Sequence, residues 1–130
     1  MKLKSTTERL SVKDKYSSPE EYLIYLMHIA SYTFCINYIE GKIVLDYGCG
    51  SGYGTAFISE HCSRLIGIDV SSNAINSAKV SYNSPNLSFM KVEKVEDAPL
   101  PFPDEEFDVV LSLQVIEHIQ ETTSYLDEIN

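Results

Sequence analysis

Residues Val44 to Gly54 read VLDYGCGSGYG: an acidic residue closes a short apolar run, and Gly48, Gly50, Gly52 and Gly54 follow at alternate positions. Glycine has no Cβ, so such a loop can take positive φ and let a ligand approach the main chain closely. One tight strand-to-helix turn rarely needs four alternating glycines, so a ligand cradle is the expected use. The spacing is not the dinucleotide fingerprint G-x-G-x-x-G, because Tyr53 or Thr55 stands where its last glycine belongs. It is nearer D-x-G-x-G, beginning at Asp46. A carboxylate beside the loop disfavours a pyrophosphate but suits a ligand bearing an ammonium and a sulfonium, and it can also orient the loop by accepting backbone hydrogen bonds. Asp46, Gly48, Cys49, Gly50 and Gly52 are therefore candidate binding residues.

A second acidic residue, Asp69, ends the run RLIGIDV. There it can accept hydrogen bonds from both hydroxyls of a ribose, as for any adenosine-bearing cofactor, or it can cap the helix that starts in SSNA. The glycine loop upstream favours the ribose. Val70 would then press on an adenine face. Glu93 and Lys94 follow the next apolar run, where an acceptor could meet an adenine amino group, or where the pair could form a solvated charged loop. His28 and His61 have no companions in sequence and are expected to be structural or exposed.

These residues need elements to hold them. A serine cap, Pro19, Glu20 and Glu21 begin a helix that Gly41 ends, predicted over Pro19 to Glu40. KIVLDYG reads as a buried strand, Tyr53 to His61 as a helix, RLIGIDV as a second strand, and SSNAINSAKVSYN as a helix capped by Ser71 or Ser72. LSFMKVE is a third strand and FDVVLSLQ a fourth. From Ile116 onward the pattern is helical. Strands alternating with helices predict parallel βαβ units with right-handed crossovers, hence an α/β fold with a doubly wound, Rossmann-like sheet. In such a sheet ligands bind beyond the carboxyl ends of the strands, where the glycine loop leaves the first. Residues 1–18 read as an N-terminal arm and 19–130 as one domain.

Composition narrows the function classes. A chain of 130 residues with 44% hydrophobic and 11% aromatic residues can bury a core of its own. Ten basic against nineteen acidic residues give a net charge of −9, which argues against nucleic acid and anionic membrane surfaces as partners. No apolar run approaches the ~18 residues of a membrane span, and the polar start MKLKSTTERL lacks the apolar core of a signal peptide. The cytoplasm is the expected address. Cys35, Cys49 and Cys62 are odd in number and show no C-x-x-C spacing, so reduced thiols are expected.

VLDYGCGSGYG, LIGIDVS and PLPFPDEEFDVVLSLQVIEHI, in this order and spacing, resemble the class I S-adenosylmethionine-dependent methyltransferases from about Glu40 to Ile119. The resemblance implies that the loop Asp46 to Gly52 holds the methionine end of S-adenosylmethionine, Asp69 the ribose, and the segment after the third strand the adenine. It also implies that Gln114 lies near the methionine moiety and the reacting methyl. The arm and first helix look most like methyltransferases of bacterial polysaccharide or glycolipid assembly, which implies a small-molecule or saccharide acceptor. In quinone-biosynthesis O-methyltransferases and small-RNA 3′-end methyltransferases a similar stretch reads E-x-x-E-H and holds a divalent metal. Here Gln114 replaces the first carboxylate of Gln114-Val115-Ile116-Glu117-His118. A hard cation prefers anionic oxygen, so no metal is expected. His118 is instead a candidate general base for an acceptor hydroxyl, although a Glu-His pair can also simply orient a turn.

The implied reaction is in-line SN2 methyl transfer, in which the protein positions the nucleophile, removes its proton and excludes water. A nicotinamide-dependent oxidoreductase would share the fold and Asp69 but needs the missing glycine. A cofactor-binding or regulatory domain would keep the loop without turnover. The resembled sheet is seven-stranded, whereas here four strands are expected, in the order 3-2-1-4, before the chain ends at SYLDEIN. The expectation is therefore a domain incomplete at its C-terminus, whose exposed apolar fourth strand invites self-association or a partner chain.

Overall fold

The computed structural model describes residues 16–94 and 97–130. The arm expected over residues 1–18 lies, except for its last three residues, outside them. Helix α1 spans Pro19–Ile39. Its start is doubly tied: the Ser18 hydroxyl accepts from the Glu21 amide at 3.1 Å, and the Glu21 carboxylate accepts from the Ser17 amide. Strand β1 (Ile43–Tyr47), helix α2 (Tyr53–Ile58) and a 3₁₀ turn at Ser59–His61 follow. Then come β2 (Arg64–Asp69), α3 (Ser72–Ser81), β3 (Leu87–Lys91), β4 (Val109–Leu111), a 3₁₀ turn at Ile116–His118 and α4 (Thr122–Ile129). Ser71, not Ser72, caps α3 by accepting from the Ala74 amide.

The four strands are parallel and lie in the order β3-β2-β1-β4. β1 and β2 bury apolar residues on both faces because both faces are covered. On one side Val44 and Leu65 meet Tyr32, Cys35 and Ile39 of α1 and Ile58 of α2. Further along that side Cys49 and Phe89 meet Ile75 and Ala78 of α3. On the other, Leu45, Tyr47, Ile66 and Ile68 meet Tyr125 of α4. The Tyr47 and Tyr125 rings stand 4.7 Å apart, and the Tyr125 and Ser112 hydroxyls are hydrogen-bonded at 2.7 Å, so α4 is fixed beneath the end of β4. No helix among the described residues is long and apolar enough to cross a membrane.

Two elements differ from the sequence reading. The run FDVVLSLQ forms only three ladder residues, because its register with β1 (Val44↔Val109 to Asp46↔Leu111) ends where β1 turns into the glycine loop. Beyond it the chain swings away, and Gln114 takes a positive φ of 56°. The helix expected from Ile116 is broken: Ile119 is extended and packs with Val115 against the Leu45–Tyr47 cluster, so α4 starts only at Thr122. Tertiary packing there overrides local propensity.

Candidate functional site

The loop Gly48–Gly52 is pinned at the carboxyl end of the sheet. The Gly48 and Cys49 amides both donate to the Ile68 carbonyl, at 2.8 and 3.0 Å, and the Gly52 amide donates to the Cys49 carbonyl at 3.1 Å. Asp69 joins this loop to the next one. One carboxylate oxygen accepts from the Gly50 amide at 3.0 Å and the other from the Ser71 amide at 2.9 Å. Asp69 is therefore not the cap of α3; it is a buried clip between two βα loops.

Above this edge lies a cavity of about 560 Å³. Its wall includes Gly48, Cys49, Gly50, Asp69, Val70, Lys94, Gln114 and His118, eight of the eleven residues singled out by sequence. Asp46, Gly52 and Glu93 do not line it. Gly52 is buried under the Phe89 ring, which leaves no room for a Cβ. Glu93 is exposed and pairs with Lys91.

Asp46 is 0% exposed and points between α1 and α2. One of its oxygens accepts from the Tyr32 hydroxyl at 2.8 Å and from the Thr55 hydroxyl at 2.7 Å, while its Oδ1 is buried with no hydrogen-bond partner among the described residues. Burial pushes its pKa up to about 6, against the pull of the Thr55 and Tyr32 hydrogen bonds. A carboxyl that is more basic folded than unfolded stabilises the fold when protonated, and that contribution is lost as pH rises from about 4 through 6. Its size is about 2 to 3 kcal/mol, at about 1.4 kcal/mol per pH unit. Urea denaturation at pH 4 and pH 7.5 should show Asp46→Asn escaping a loss of this size that the wild type suffers. Equal losses in both proteins would place the titration elsewhere.

The sequence reading missed the contribution of α1. His28, Ser31 and Tyr32 reach the cavity, as does Tyr53 at the start of α2. His28, expected to be without companions, has two: its Nδ1 is bonded to the Tyr53 hydroxyl and its Nε2 to Gln114 Oε1 at 3.2 Å. The available signal was the spacing 28, 31, 32, 35, one face of a helix whose apolar residues otherwise run all round it. Cys49 is buried, and burial together with Asp46 and Asp69 raises its thiol pKa far above the usual range. Among the described residues no three His, Cys, Asp or Glu side chains stand together as a metal site.

The residues suit an adenosine-bearing, amino-acid-bearing ligand. The volume lies within the roughly 300 to 1,000 Å³ of small-molecule sites. A Cβ built on Gly50 would meet nothing within 4 Å, so the loop leaves open space where a ligand can lie against the backbone. Asp69 lines the cavity with a carboxylate whose two oxygens are each fixed by a loop amide.

Residues 45–130 match the family described as methyltransferase domain. The chain is 30% identical over 109 residues to a Mycolicibacterium smegmatis protein described as "Probable S-adenosylmethionine-dependent methyltransferase", covering 84% of this chain and 40% of that one. It is 33% identical over 92 residues to the ubiquinone biosynthesis O-methyltransferase of Rhodopseudomonas palustris strain TIE-1, covering 68% and 34%. The magnesium protoporphyrin IX methyltransferase of Synechocystis, solved with bound S-adenosylmethionine, shares the fold with a TM-score of 0.71 at 18% identity, covering 90% of this chain and 60% of that one. The chain thus spans well under half the length of the two curated relatives.

Proposed function

This chain belongs to the class I S-adenosylmethionine-dependent methyltransferase family, and we propose on that premise that residues 19–130 form its cofactor-binding unit and serve methyl transfer to a hydroxyl oxygen of a small-molecule, saccharide or lipid-linked acceptor. When bound, S-adenosylmethionine supplies a methyl group made electrophilic by the neighbouring sulfonium. Asp69, held at the cavity wall by the Gly50 and Ser71 amides, takes the ribose hydroxyls, Val70 and Lys94 flank the adenine, and Gly48 to Gly50 face the methionine end. Asp46 acts from behind the wall, keeping Tyr32 and Thr55 in place.

His118 lines the cavity from the 3₁₀ turn after β4 and is exposed there, which suits a base that takes the proton of an acceptor hydroxyl. The similarity to an O-methyltransferase supports oxygen as the reacting atom. The observation that carries the reading is the Gly50–Asp69–Ser71 clip at the mouth of an open glycine loop. Calorimetric titration of the chain with S-adenosylmethionine and S-adenosylhomocysteine tests it, with saturable one-to-one binding expected for both. No heat with either ligand, or binding of NADH in their place, would overturn it. Mass spectrometry of a cell extract incubated with protein and methyl-labelled cofactor then identifies the acceptor.

A further inference from the structure

His28 stands at the centre of a chain of hydrogen bonds that runs from α2 through α1 to the end of β4. Gln114 Oε1 can only accept, so the His28 Nε2 bonded to it carries the proton. In the neutral ring Nδ1 is then bare, and the Tyr53 hydroxyl donates to it. With its carbonyl oxygen held by His28, Gln114 has one polar group left, the amide NH₂, and that nitrogen has no partner among the described residues. Gln114 lines the cavity, its backbone held at a positive φ of 56°.

We infer that His28 is a positioning residue that fixes the Gln114 side chain as a hydrogen-bond donor toward the bound ligand, so that the ligand group facing Gln114 is an oxygen with a free lone pair. The inference rests on the cofactor reading above for what the cavity holds, and it goes beyond that reading in assigning the polarity of this wall. Two oxygens offer the chemistry: the carboxylate of an amino-acid-bearing cofactor and the reacting oxygen of the acceptor. An ammonium beside Gln114 would face a donor and be repelled.

Gln114→Glu separates this role from a structural tie. Glutamate keeps an oxygen for the Nε2–H of His28, so the link from α1 to β4 survives, but the group turned to the ligand becomes an acceptor. With EDTA present to exclude adventitious metal, Gln114→Glu and His28→Ala should each weaken S-adenosylhomocysteine by roughly tenfold or more, the scale of one hydrogen bond to a charged group. 5′-Methylthioadenosine, which lacks the amino-acid end, should bind as to wild type. That result assigns the cofactor carboxylate. Unchanged binding of both nucleosides with a raised KM for the acceptor assigns the acceptor oxygen instead. His28→Gln, which can accept from Tyr53 and donate to Gln114, should restore most of either loss.

The inference is overturned if both variants bind both nucleosides and use the acceptor as wild type does, or if they weaken both nucleosides equally, as general damage to the cavity would. One readout needs no ligand: imidazole ¹⁵N shifts of the intact chain should place the His28 proton on Nε2 near neutral pH. A proton on Nδ1 would reverse Gln114 and overturn the inference whatever the cavity binds. Wild-type protein that binds neither nucleoside would count against the cofactor reading, while the ¹⁵N result still decides the orientation of Gln114.

Discussion

Asp69→Ala is expected to weaken S-adenosylmethionine binding by roughly 2 to 4 kcal/mol, about thirty- to a thousandfold, the scale of two charge-assisted hydrogen bonds. The structure adds a second reason for a large effect. The same carboxylate accepts from the Gly50 and Ser71 amides, so its removal takes one tie from the glycine loop and one from the lip of α3 together. The fold itself should survive, because the cap of α3 is the Ser71 hydroxyl bonded to Ala74 and stays in place. Asp69→Asn divides the two contributions. Its oxygen can still hold one loop amide, but its NH₂ cannot accept from a second amide or from a ribose hydroxyl. Calorimetry should therefore place the Asn variant between wild type and Ala, with melting temperatures of all three close together. An unchanged dissociation constant in Asp69→Ala would remove the ribose assignment and leave Asp69 as a loop clip alone.

The sheet order and the glycine loop were legible because each is written locally: apolar runs of five or six residues, separated by capped helices, admit few arrangements once crossovers are right-handed. The length of β4 was not, since a strand extends only as far as its partner, and β1 ends at Tyr47 whatever the apolar run FDVVLSLQ suggests. The direction of Asp46 was open to a parity argument that the glycine loop obscured. Asp46 lies two residues after Val44, which packs against α1, whereas Tyr47 shares the opposite face with Leu45. A carboxylate on the α1 side must find its donors on helices, and Tyr32 and Thr55 are those donors. His28 was hidden for a different reason. Its two partners lie 25 and 86 residues away, and nothing local announces a contact made only when α1 lies across both α2 and the end of β4.

Two glycines of the same motif, Gly50 in the loop and Gly54 in α2, should fail in opposite ways. A Cβ on Gly54 would stand 2.0 Å from Cε2 and 2.3 Å from Cδ2 of Tyr32. That ring has nowhere to go, because it is buried and its hydroxyl holds the buried carboxylate of Asp46. Gly54→Ala must either overpack the α1–α2 contact or unpair Asp46, a destabilisation of about 3 to 5 kcal/mol when overpacking and the lost bond are combined. Against a typical domain stability of about 5 to 15 kcal/mol, such a loss should be plain in urea denaturation. Tyr32→Ala removes the obstructing ring, so adding Gly54→Ala to it should cost almost nothing more; additive losses would show that the two sites are not in contact. At Gly50 the added methyl meets nothing within 4 Å, and its φ of +57° costs an alanine only about 1 to 2 kcal/mol. Gly50→Ala should therefore fold nearly as well as wild type. Its methyl, however, occupies the space through which a ligand reaches the loop backbone, so binding of S-adenosylhomocysteine should fall by roughly a hundredfold, as for other overpacked contacts. A folded Gly50→Ala that binds at wild-type strength would show that the ligand does not approach the loop there, and that the positive φ at Gly50 serves the turn alone.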